Sequence, residues 1–573
     1  MPPDRWSSLA VGLLVELAAG TVYGFGSYSE KIKLVLGNDQ SAVNLVSSVG
    51  QVGLYVTIFG GMFYDRFGGA ATALIGGSLA AGGYALIYVA TLGIGLPATT
   101  TSLCIFYFVA WHGSGYMDTS SVCTYCKNFP ANKGTIIGLN KSFFGLSGSI
   151  VAQISIGLFA KDSAAGVPLL AFLAGLVAAI TILCPFFLRL EDERARQRPL
   201  SAFDWRRVHL GYALIIALSV YLAVIGVMRT HVSFSNAASV GTTVAAGLLI
   251  VLLAALLAFS TGWGSRRLLQ SGTQSLIEAG AAREGDNGGG PAGADGGGEA
   301  GGGAGAEHAA DAVVKPRPAP SLHEDCTALQ ALATPELYLL WLAMFAGTGP
   351  GLMLLSNVAQ IAIARAGAYT SSAQTACHDA SYFHTLSSTF TVVCGVGNCI
   401  GRVLGGYISD AVHTPSRPAW FGLFLLLMAI SQLVMALVGG VATLYATLSL
   451  CFLAYGAFWS LMPVLVAELF GERAIGTIYT IIGLAPASAS FAVTVGVAST
   501  VYQAHVPPHA PPLCKDTVGM QDGKCFGLLC YQDTFLITTG LCIFGSALSG
   551  VLAVRMRSFY RRNRLAAMSP PLQ

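Results

Sequence analysis

Residues 60–68 read Gly-Gly-Met-Phe-Tyr-Asp-Arg-Phe-Gly, and residues 405–410 read Gly-Gly-Tyr-Ile-Ser-Asp. Each segment closes a long apolar stretch with two glycines, three further residues and an Asp. A second pair, at residues 134–136 and 476–478, reads Gly-Thr-Ile in both places. Asp410 follows Asp65 by 345 residues and Gly476 follows Gly134 by 342. Such spacing indicates two homologous halves in parallel repeat.

The composition around these segments is that of a membrane protein. Of 573 residues, 54% are hydrophobic and 10% are charged, and the mean hydropathy is +0.64. A soluble domain carries about 25% charged residues, so a soluble globular protein is excluded. Asp, Glu, Lys and Arg are absent from residues 67–117, 230–265, 418–467 and 474–514. The net charge of +3, without a basic block, also argues against a nucleic-acid partner.

Fourteen apolar segments have the length of a membrane-spanning helix, which is about 20 residues. Two of them lie between the halves, so the sequence predicts an all-α membrane protein with two pseudo-symmetric six-helix bundles and two extra helices. The predicted spans are 6–27, 43–64, 70–92, 98–119, 134–159, 167–189, 208–229, 239–262, 337–361, 385–409, 418–438, 442–466, 476–501 and 533–556.

The chain divides into five parts. Fourteen glycines fall between Gly272 and Gly305, a composition that cannot bury enough apolar surface to fold. We therefore predict an N-terminal bundle (1–190), two additional helices (191–264), a disordered cytoplasmic linker (265–333), a C-terminal bundle (334–557) and a basic tail (558–573).

The basic residues predict the orientation. With the N-terminus in the cytoplasm, the cytoplasmic segments hold 22 of the 31 Lys and Arg, and the opposite segments hold seven. This bias predicts that both termini are cytoplasmic. The first apolar stretch runs directly into polar residues 27–31, so we expect no cleavable signal peptide. Whether the protein lies in the plasma membrane or an endomembrane stays open.

Several segments carry a resemblance to a known family. Residues 61–68 match the pattern Gly-x-x-x-Asp-Arg-x-Gly, and the chain therefore resembles the major facilitator superfamily. More narrowly, it resembles the nodulin-like branch of plants and protists, which is related to monocarboxylate and oxalate-formate porters. This resemblance implies alternating-access transport of a small solute by two rocking bundles. The segments that carry it are 18–25, 64–68, 128–130, 133–135, 145–148 and 467–471, with Cys525 and Cys530.

The resemblance also implies a conformational latch at the end of each second helix. Asp65 can accept from backbone N–H groups of a neighbouring helix or from an Arg, and Gly61 allows helices to approach closely. Gly69-Ala70-Ala71-Thr72 stands where the superfamily has a basic run. The predicted latch residues are Gly61, Asp65, Arg66, Gly406 and Asp410.

Ionisable residues inside predicted spans are candidates for a solute or coupling-ion pathway, because each costs about 2.5–3.5 kcal/mol at mid-bilayer. Glu16 and Tyr23 lie on one stripe of the first helix, and His112 and Tyr116 lie on a stripe of the fourth. Lys141, seven residues into the fifth span, could bind an anion or pair with Glu16. Structural roles in helix packing are the alternative for each.

The second half adds three candidates. Residues 398–402 resemble the core eighth helix of monocarboxylate porters, where an Asp four residues before an Arg handles substrate and proton. Asn398 takes the Asp position here, and Arg402 keeps a guanidinium for a carboxylate. Arg402 could instead pair with Asp410. Residues 347–351, Gly-Thr-Gly-Pro-Gly, predict a break in the span 337–361, which is the core seventh helix by the resemblance. Asn357 follows this break.

The cysteines and the remaining motifs bear on disulfides, metal binding and catalysis. Cys377, Cys514, Cys525 and Cys530 all fall on the non-cytoplasmic side, which permits one or two disulfides. Cys123-Thr124-Tyr125-Cys126 has no second pair nearby, so we expect no metal site. No nucleotide-binding or catalytic motif is found. We therefore expect a protein that is not an enzyme and has no cofactor.

These patterns predict a secondary active transporter of a small polar solute. Lys141 and Arg402 favour an organic anion such as a monocarboxylate, with Glu16 or His112 as a proton carrier. The alternatives are a facilitative uniporter of another metabolite or metal chelate, and a receptor or scaffold that keeps the fold without transport. The expected partners are the lipid bilayer, a small-molecule substrate and protons, and we expect a monomer.

Overall fold

The described part of the chain folds almost entirely into helices. A computed structural model describes residues 4–37, 40–159, 166–232, 234–259, 322, 325–366, 380–412, 414–506 and 525–568. The helices are α1 Arg5–Ala19, continued by a 3₁₀ segment Gly20–Ser27, α2 Ser29–Val35, α3 Gln40–Tyr55, α4 Ile58–Thr91, α5 Thr100–Asn128, α6 Lys133–Phe159, α7 Gly166–Phe187, α8 Glu193–Arg196, α9 Ala202–His231, α10 Asn236–Phe259, α11 Ala328–Leu332, α12 Pro335–Ala366, α13 Ala380–Ala411, α14 Arg417–Leu437, α15 Val441–Phe470, α16 Ile475–Ile482, α17 Leu484–Ala489, a π-helical segment Ser490–Ser499, α18 Thr500–Ala504, α19 Leu529–Arg555 and α20 Arg557–Met568.

The helices supply the predicted fourteen crossings. Twelve stretches of the described chain are long and apolar enough to cross a membrane. One of these, Leu45–Thr91, has 47 residues, about twice the length of one crossing. It bends at Gly68, whose φ of 79° lies in a region that glycine adopts without strain. α5 has 29 residues but buries polar ones such as Asp118 and Ser121, which lower its hydropathy. Counting Leu45–Thr91 twice and adding α5 gives fourteen.

Two six-helix bundles meet along two seams. The N-terminal bundle comprises α1–α7 and the C-terminal bundle comprises α12–α19. α6 packs on α13 at one seam, and α4 packs on α16 at the other. The extra helices α9 and α10 pack against each other, α10 also contacts α1 and α6, and α9 touches both α6 and α13. The predicted all-α fold with two pseudo-symmetric bundles and two additional helices is confirmed.

One end of the bundles brings together charged side chains from both halves. It holds Arg5, Asp65, Lys133, Asp410 and Arg417, and we call it the basic side. The ends of helices that lie far apart in sequence meet there. Lys133 pairs with Glu472 at 3.0 Å, and Arg5 lies 3.8 Å from Glu191.

The linker prediction is wrong at its C-terminal end. Most of 265–333 lies outside the described residues, but Ala328–Leu332 is helical and begins at a capping box formed by Thr327 and Gln330. The Cys326 N–H donates to the Phe470 carbonyl at 2.9 Å, and the Leu322 N–H donates to the Glu468 carbonyl at 2.7 Å. Backbone pairing with the end of α15 therefore orders these residues, which composition alone could not reveal.

The predicted helix break is also misplaced. α12 runs through Pro350 from Pro335 to Ala366, and Gly347 and Gly351 instead leave room for the rings of Phe458 and Tyr455. The irregular helix is instead the thirteenth crossing, where α16 and α17 separate at Gly483 and the π-helical segment follows.

Candidate functional site

Asp65 joins the two bundles on the basic side. It lies in α4, and its carboxylate accepts from the backbone N–H groups of Gly476 at 2.9 Å and Thr477 at 2.8 Å, and from the Thr477 hydroxyl at 2.6 Å. Gly476 and Thr477 open α16 in the other bundle. An acidic group at a helix N-terminus satisfies free N–H donors and complements the helix dipole.

Asp410 makes the matching contact in the opposite direction. It lies in α13 and accepts from the N–H groups of Gly134 at 3.2 Å and Thr135 at 2.6 Å, at the start of α6. The second helix of each bundle therefore caps the fifth helix of the other bundle. The two contacts are equivalent under the repeat that relates the halves.

The Asp410 contact carries an additional charge network. Arg417 pairs with both Asp410 and Glu468, and the Tyr560 hydroxyl donates to Glu468 at 2.5 Å. Burial, aided by the adjacent Glu468 carboxylate, raises the pKa of Tyr560 well above its ordinary value, so this phenol remains a neutral donor. The Asp65 side differs, because Arg66 lies over the Phe67 ring with its guanidinium 5.5 Å from the ring centroid.

Glycines bring the two backbones together beside each carboxylate. A Cβ on Gly61 would lie 2.2 Å from the Gly476 carbonyl oxygen, and one on Gly406 would lie 2.2 Å from the Gly134 carbonyl oxygen. Any larger residue would force the seams apart. The predicted latch residues Gly61, Asp65, Gly406 and Asp410 thus lie at the two seams, whereas Arg66 lies on an exposed surface.

A small cavity lies between the bundles, away from these caps. Its volume is about 30 Å³, which is room for one or two water molecules. Both halves contribute to its wall. The polar and aromatic side chains that line it include Tyr23, Tyr55, Asp118, Lys141, Arg402 and Trp459.

Lys141 forms the centre of a charged cluster beside this cavity. Its side chain is 2% exposed, and its ammonium pairs with Asp118 of α5 and donates to the Tyr479 hydroxyl at 2.9 Å. Tyr479, from α16 in the other bundle, donates in turn to Asp118 at 2.7 Å. The aspartate, the lysine and the tyrosine therefore form a closed triangle across the interface, which we call the central triad.

Arg402 reaches the same cavity from the C-terminal bundle. Its Nε donates to Asn398 Oδ1 at 2.9 Å, and its Nη1 donates to the Lys141 carbonyl at 2.8 Å. Both acceptors are neutral. The guanidinium carbon lies 5.4 Å from the centroid of the Phe144 ring. Arg402 does not pair with Asp410, because Arg417 occupies that carboxylate.

Glu16 lies behind the central triad rather than on the cavity wall. It is fully buried, and its Oε1 accepts from Asn140 Nδ2 at 3.2 Å. Asn140 also donates to the Ser121 hydroxyl at 2.8 Å. The second oxygen, Oε2, has no hydrogen-bond partner among the described residues. Glu16 interacts electrostatically with Asp118, Lys141 and Arg402.

Three predicted candidates lie elsewhere. His112 Nδ1 is 3.1 Å from the Gly53 carbonyl of α3. The Tyr116 ring fills the space left by Gly60, and its Cβ packs against Gly76. Asn357 bonds back to Met353 at 2.9 Å and accepts from the Tyr531 hydroxyl at 3.3 Å. The structure does not bring His112, Tyr116 or Asn357 to the cavity wall, whereas it places Tyr23, Lys141 and Arg402 there.

The cysteines are partly described. Cys525 and Cys530 form a disulfide, while Cys377 and Cys514 lie outside the described residues. In the described part of the chain, no group of three or more His, Cys, Asp or Glu residues could hold a metal ion.

Sequence reasoning missed two members of the central triad, Asp118 and Tyr479. The predicted stripe of this helix, His112 and Tyr116, does not include Asp118. Gly115, Asp118 and Thr119 all line the cavity, and their three- and four-residue spacing is the signal that could have shown this face. The role of Tyr479 depends on a contact across the bundles that no local pattern reveals.

Comparison with known families settles the relationship. The nodulin-like family model matches residues 5–260, and a model described as "NFD4, C-terminal domain" matches residues 324–562. The first covers the N-terminal bundle with both extra helices, and the second covers the C-terminal bundle. The chain belongs to the nodulin-like family. It is an integral, multi-pass membrane protein.

This nodulin-like chain is similar to two named relatives and to a solved structure. It is 23% identical over 97% of its length to the protein NUCLEAR FUSION DEFECTIVE 4 of Arabidopsis thaliana, covering 90% of that protein. It is 28% identical to the probable transporter mch1 of Aspergillus fumigatus, over 34% of each chain. The proton:xylose symporter XylE shares the fold at a TM-score of 0.51 and 12% identity, with 97% of this chain and 95% of that one covered.

Proposed function

We propose that this nodulin-like protein is a secondary active transporter that carries a small organic anion, such as a monocarboxylate, together with a proton. Arg402 carries this proposal. It is 1% exposed, it lines the central cavity, and among the described residues it bonds only to neutral acceptors. A buried guanidinium without a carboxylate partner is a site for an anionic ligand with matching geometry.

The contacts between the bundles support alternating access. Two carboxylate caps and two glycine contacts close the basic side. Each cap consists of a few hydrogen bonds that can break together. The central cavity lies between elements that belong to different bundles. Rocking at the seams would therefore widen it toward one side at a time.

The charge distribution supports an orientation of the protein in the membrane, and the orientation in turn identifies which side is closed. The excess of Lys and Arg on the basic side supports a cytoplasmic location for this side and for both termini. The conformation described here then has its cytoplasmic side closed. We propose that the protein acts as a monomer in the lipid bilayer.

The test is counterflow in proteoliposomes, which measures exchange without an imposed ion gradient. We expect exchange of at least one compound from a panel of radiolabelled mono- and dicarboxylates, and none of neutral sugars. Arg402→Gln should abolish this exchange, and Arg402→Lys should raise KM because it keeps the charge without the planar donor geometry.

A matched control is available in the same bundle. Arg365 is also buried, and its guanidinium also bonds to backbone carbonyls, of Met435 and Val438, but it does not line the cavity. Arg365→Gln should therefore leave the substrate profile unchanged. Carboxylate exchange that survives Arg402→Gln at the wild-type rate, or exchange of neutral solutes alone, would contradict the proposal.

A further inference from the structure

Arg207, in the second turn of α9, is a buried cation without an anionic partner. It is 7% exposed, and its Nε and Nη1 atoms are enclosed and have no hydrogen-bond partner among the described residues. Asp4 and Asp204 are its acidic neighbours, but both carboxylates are engaged elsewhere. Asp4 accepts from the N–H and hydroxyl of Ser7, and Asp204 accepts from the N–H and hydroxyl of Ser201.

Two aromatic rings contact the Arg207 guanidinium instead. Its central carbon lies 4.6 Å from the centroid of the Phe203 ring in α9 and 5.4 Å from that of the Trp6 ring in α1. Such contacts attract a cation, but they do not replace the hydrogen bonds that a buried guanidinium loses with water. The remaining nitrogen, Nη2, is not among the enclosed atoms. An acceptor that arrives at the protein surface can therefore reach it.

The surface beside Arg207 is the lipid-facing stripe of α9. This helix contains the apolar span Ala202–Arg229, and its exposed residues follow one another at intervals of three or four, as one face of a helix does. The stripe comprises Phe203, Arg206, Leu210, Ala213, Ala217, Val220 and Val224. Its single charge, Arg206, lies where the span begins, so this end of α9 lies at the level of the lipid headgroups.

Positive charge exceeds negative charge at this end of α9. Arg198 and Arg206 are exposed, and the Arg198 carbonyl accepts from Arg5 Nη1 at 3.3 Å, which holds residue 198 beside the start of α1. Arg5 itself lies 3.8 Å from Glu191. The three arginines 198, 206 and 207 therefore face two acidic neighbours. A headgroup with a net negative charge would balance this excess, whereas a zwitterionic headgroup would leave it.

We propose that the surface between the starts of α1 and α9 binds the phosphate of an anionic phospholipid from the leaflet that borders the basic side. Nη2 of Arg207 donates to a phosphate oxygen, Arg206 supplies a second positive charge, and the acyl chains lie along the apolar stripe of α9. A charge-assisted hydrogen bond from guanidinium to phosphate is among the strong ones. The inference goes beyond the proposed function and does not depend on it, because none of these residues lines the central cavity.

Native mass spectrometry of the full-length protein in detergent tests the site. The protein is titrated with phosphatidylglycerol and with phosphatidylcholine of the same acyl chains, which differ in net charge. We expect the wild type to bind phosphatidylglycerol more tightly. Arg207→Gln should weaken this binding about tenfold, because it removes a hydrogen bond to a charged group, and should leave the binding of phosphatidylcholine unchanged.

A matched control removes a positive charge elsewhere on the same side. Arg561 is exposed on α20, next to Tyr560, whose hydroxyl bonds to Glu468. Arg561→Gln should bind phosphatidylglycerol as the wild type does. Weakening by Arg561→Gln equal to that by Arg207→Gln would show a diffuse charge effect and overturn the site, as would equal affinity of the wild type for the two lipids.

A second variant decides the case even if Arg207→Gln does not fold. Arg206→Gln changes an exposed residue and should weaken binding of phosphatidylglycerol about fivefold, the effect of one basic residue near a lipid surface. Undiminished binding by Arg206→Gln overturns the proposal.

Thermal unfolding in detergent distinguishes a lipid from a soluble anion. Phosphatidylglycerol should raise the Tm of the wild type, because a ligand that binds the folded state stabilises it. Inorganic phosphate at the same concentration should not, since it lacks the chains that lie along α9. An equal rise with inorganic phosphate would assign the site to a soluble anion and overturn the lipid assignment.

Discussion

At the scale of single residues, Lys141 stabilises the central triad. Its ammonium pairs with Asp118, whose side chain is 13% exposed. Lys141→Met should therefore lower the free energy of unfolding by about 3–5 kcal/mol, since it leaves a buried aspartate without its partner. Thermal unfolding in detergent measures this loss, and anion exchange should fall to background.

A double variant separates stability from transport. Asp118→Asn combined with Lys141→Met removes both charges, so most of the lost stability should return. Exchange should not return, because the cavity then lacks one of its two cations. Equal recovery of both properties would show that Lys141 acts through folding only.

The faces of α5 illustrate what single residues could and could not reveal. The sequence predicted polar residues on this helix, and the structure contains them. The sequence alone did not determine that His112 and Tyr116 would face α3 and α4 while Asp118 faces the cavity. Rotation of a helix depends on which neighbour accepts each side chain. Here Gly60 accepts the Tyr116 ring, and Gly76 leaves room for the Tyr116 Cβ and the backbone of α5. The inward positions of Lys141 and Arg402 were predictable, because a charged residue deep in a membrane span must face protein or a water-filled cavity.

At the scale of elements, the two caps should contribute unequally. Asp65→Asn removes a charged acceptor from the start of α16 and should destabilise this conformation by about 0.5–2 kcal/mol, the usual cost of a lost cap. Asp410→Asn should cost more, because Arg417 then loses one of its two carboxylates.

The reporter for these caps is a native thiol. Cys126 is fully buried, with its Sγ 3.9 Å from the Pro463 carbonyl across the interface. Mass spectrometry of N-ethylmaleimide adducts should show faster labelling of Cys126 in Asp65→Asn and faster still in Asp410→Asn. The opposite order would contradict the network around Arg417.

The glycine contacts give a third prediction. Gly61→Ala and Gly406→Ala each place a methyl group 2.2 Å from a backbone oxygen of the other bundle. Both should hinder closure of the basic side, and so reduce transport rate with little change in the amount of folded protein. Gly82→Ala is the control, since nothing lies within 4 Å of its Cβ position. Wild-type transport rates in both seam variants would show that each seam accommodates the added methyl group without hindering closure.

The repeated motifs predicted the equivalent helices well, because an Asp and a Gly-Thr-Ile segment recur in each half of the chain. The crosswise contact was not predicted. A repeat reveals that two helices are equivalent, but the partner of each helix end depends on how the bundles are packed. The helical break was misplaced for a similar reason, since glycines beside Pro350 accommodate aromatic rings of α15 rather than opening α12.

At the scale of the whole molecule, α9 spans the seam between the bundles. On the N-terminal side, the Tyr212 hydroxyl donates to the Thr135 carbonyl of α6, and Tyr221 donates to the Thr242 carbonyl of α10 at 2.8 Å. On the C-terminal side, the Ser219 hydroxyl lies 3.2 Å from the Cys399 sulfur of α13. The N-terminal contacts are hydrogen bonds to backbone, so we expect α9 to move with the N-terminal bundle and slide over α13 during rocking.

A native cysteine makes this expectation testable. Ser219→Cys places a second thiol next to Cys399 at a separation from which a disulfide needs little movement. Oxidation should link α9 to α13 and stop transport, and reduction should restore it, because a linked α9 fixes one bundle relative to the other. In the same variant with Cys399→Ser, oxidation should have no effect. Undiminished transport by the fully linked protein would show instead that α9 follows α13 and that the two extra helices separate from the N-terminal bundle as the solute crosses.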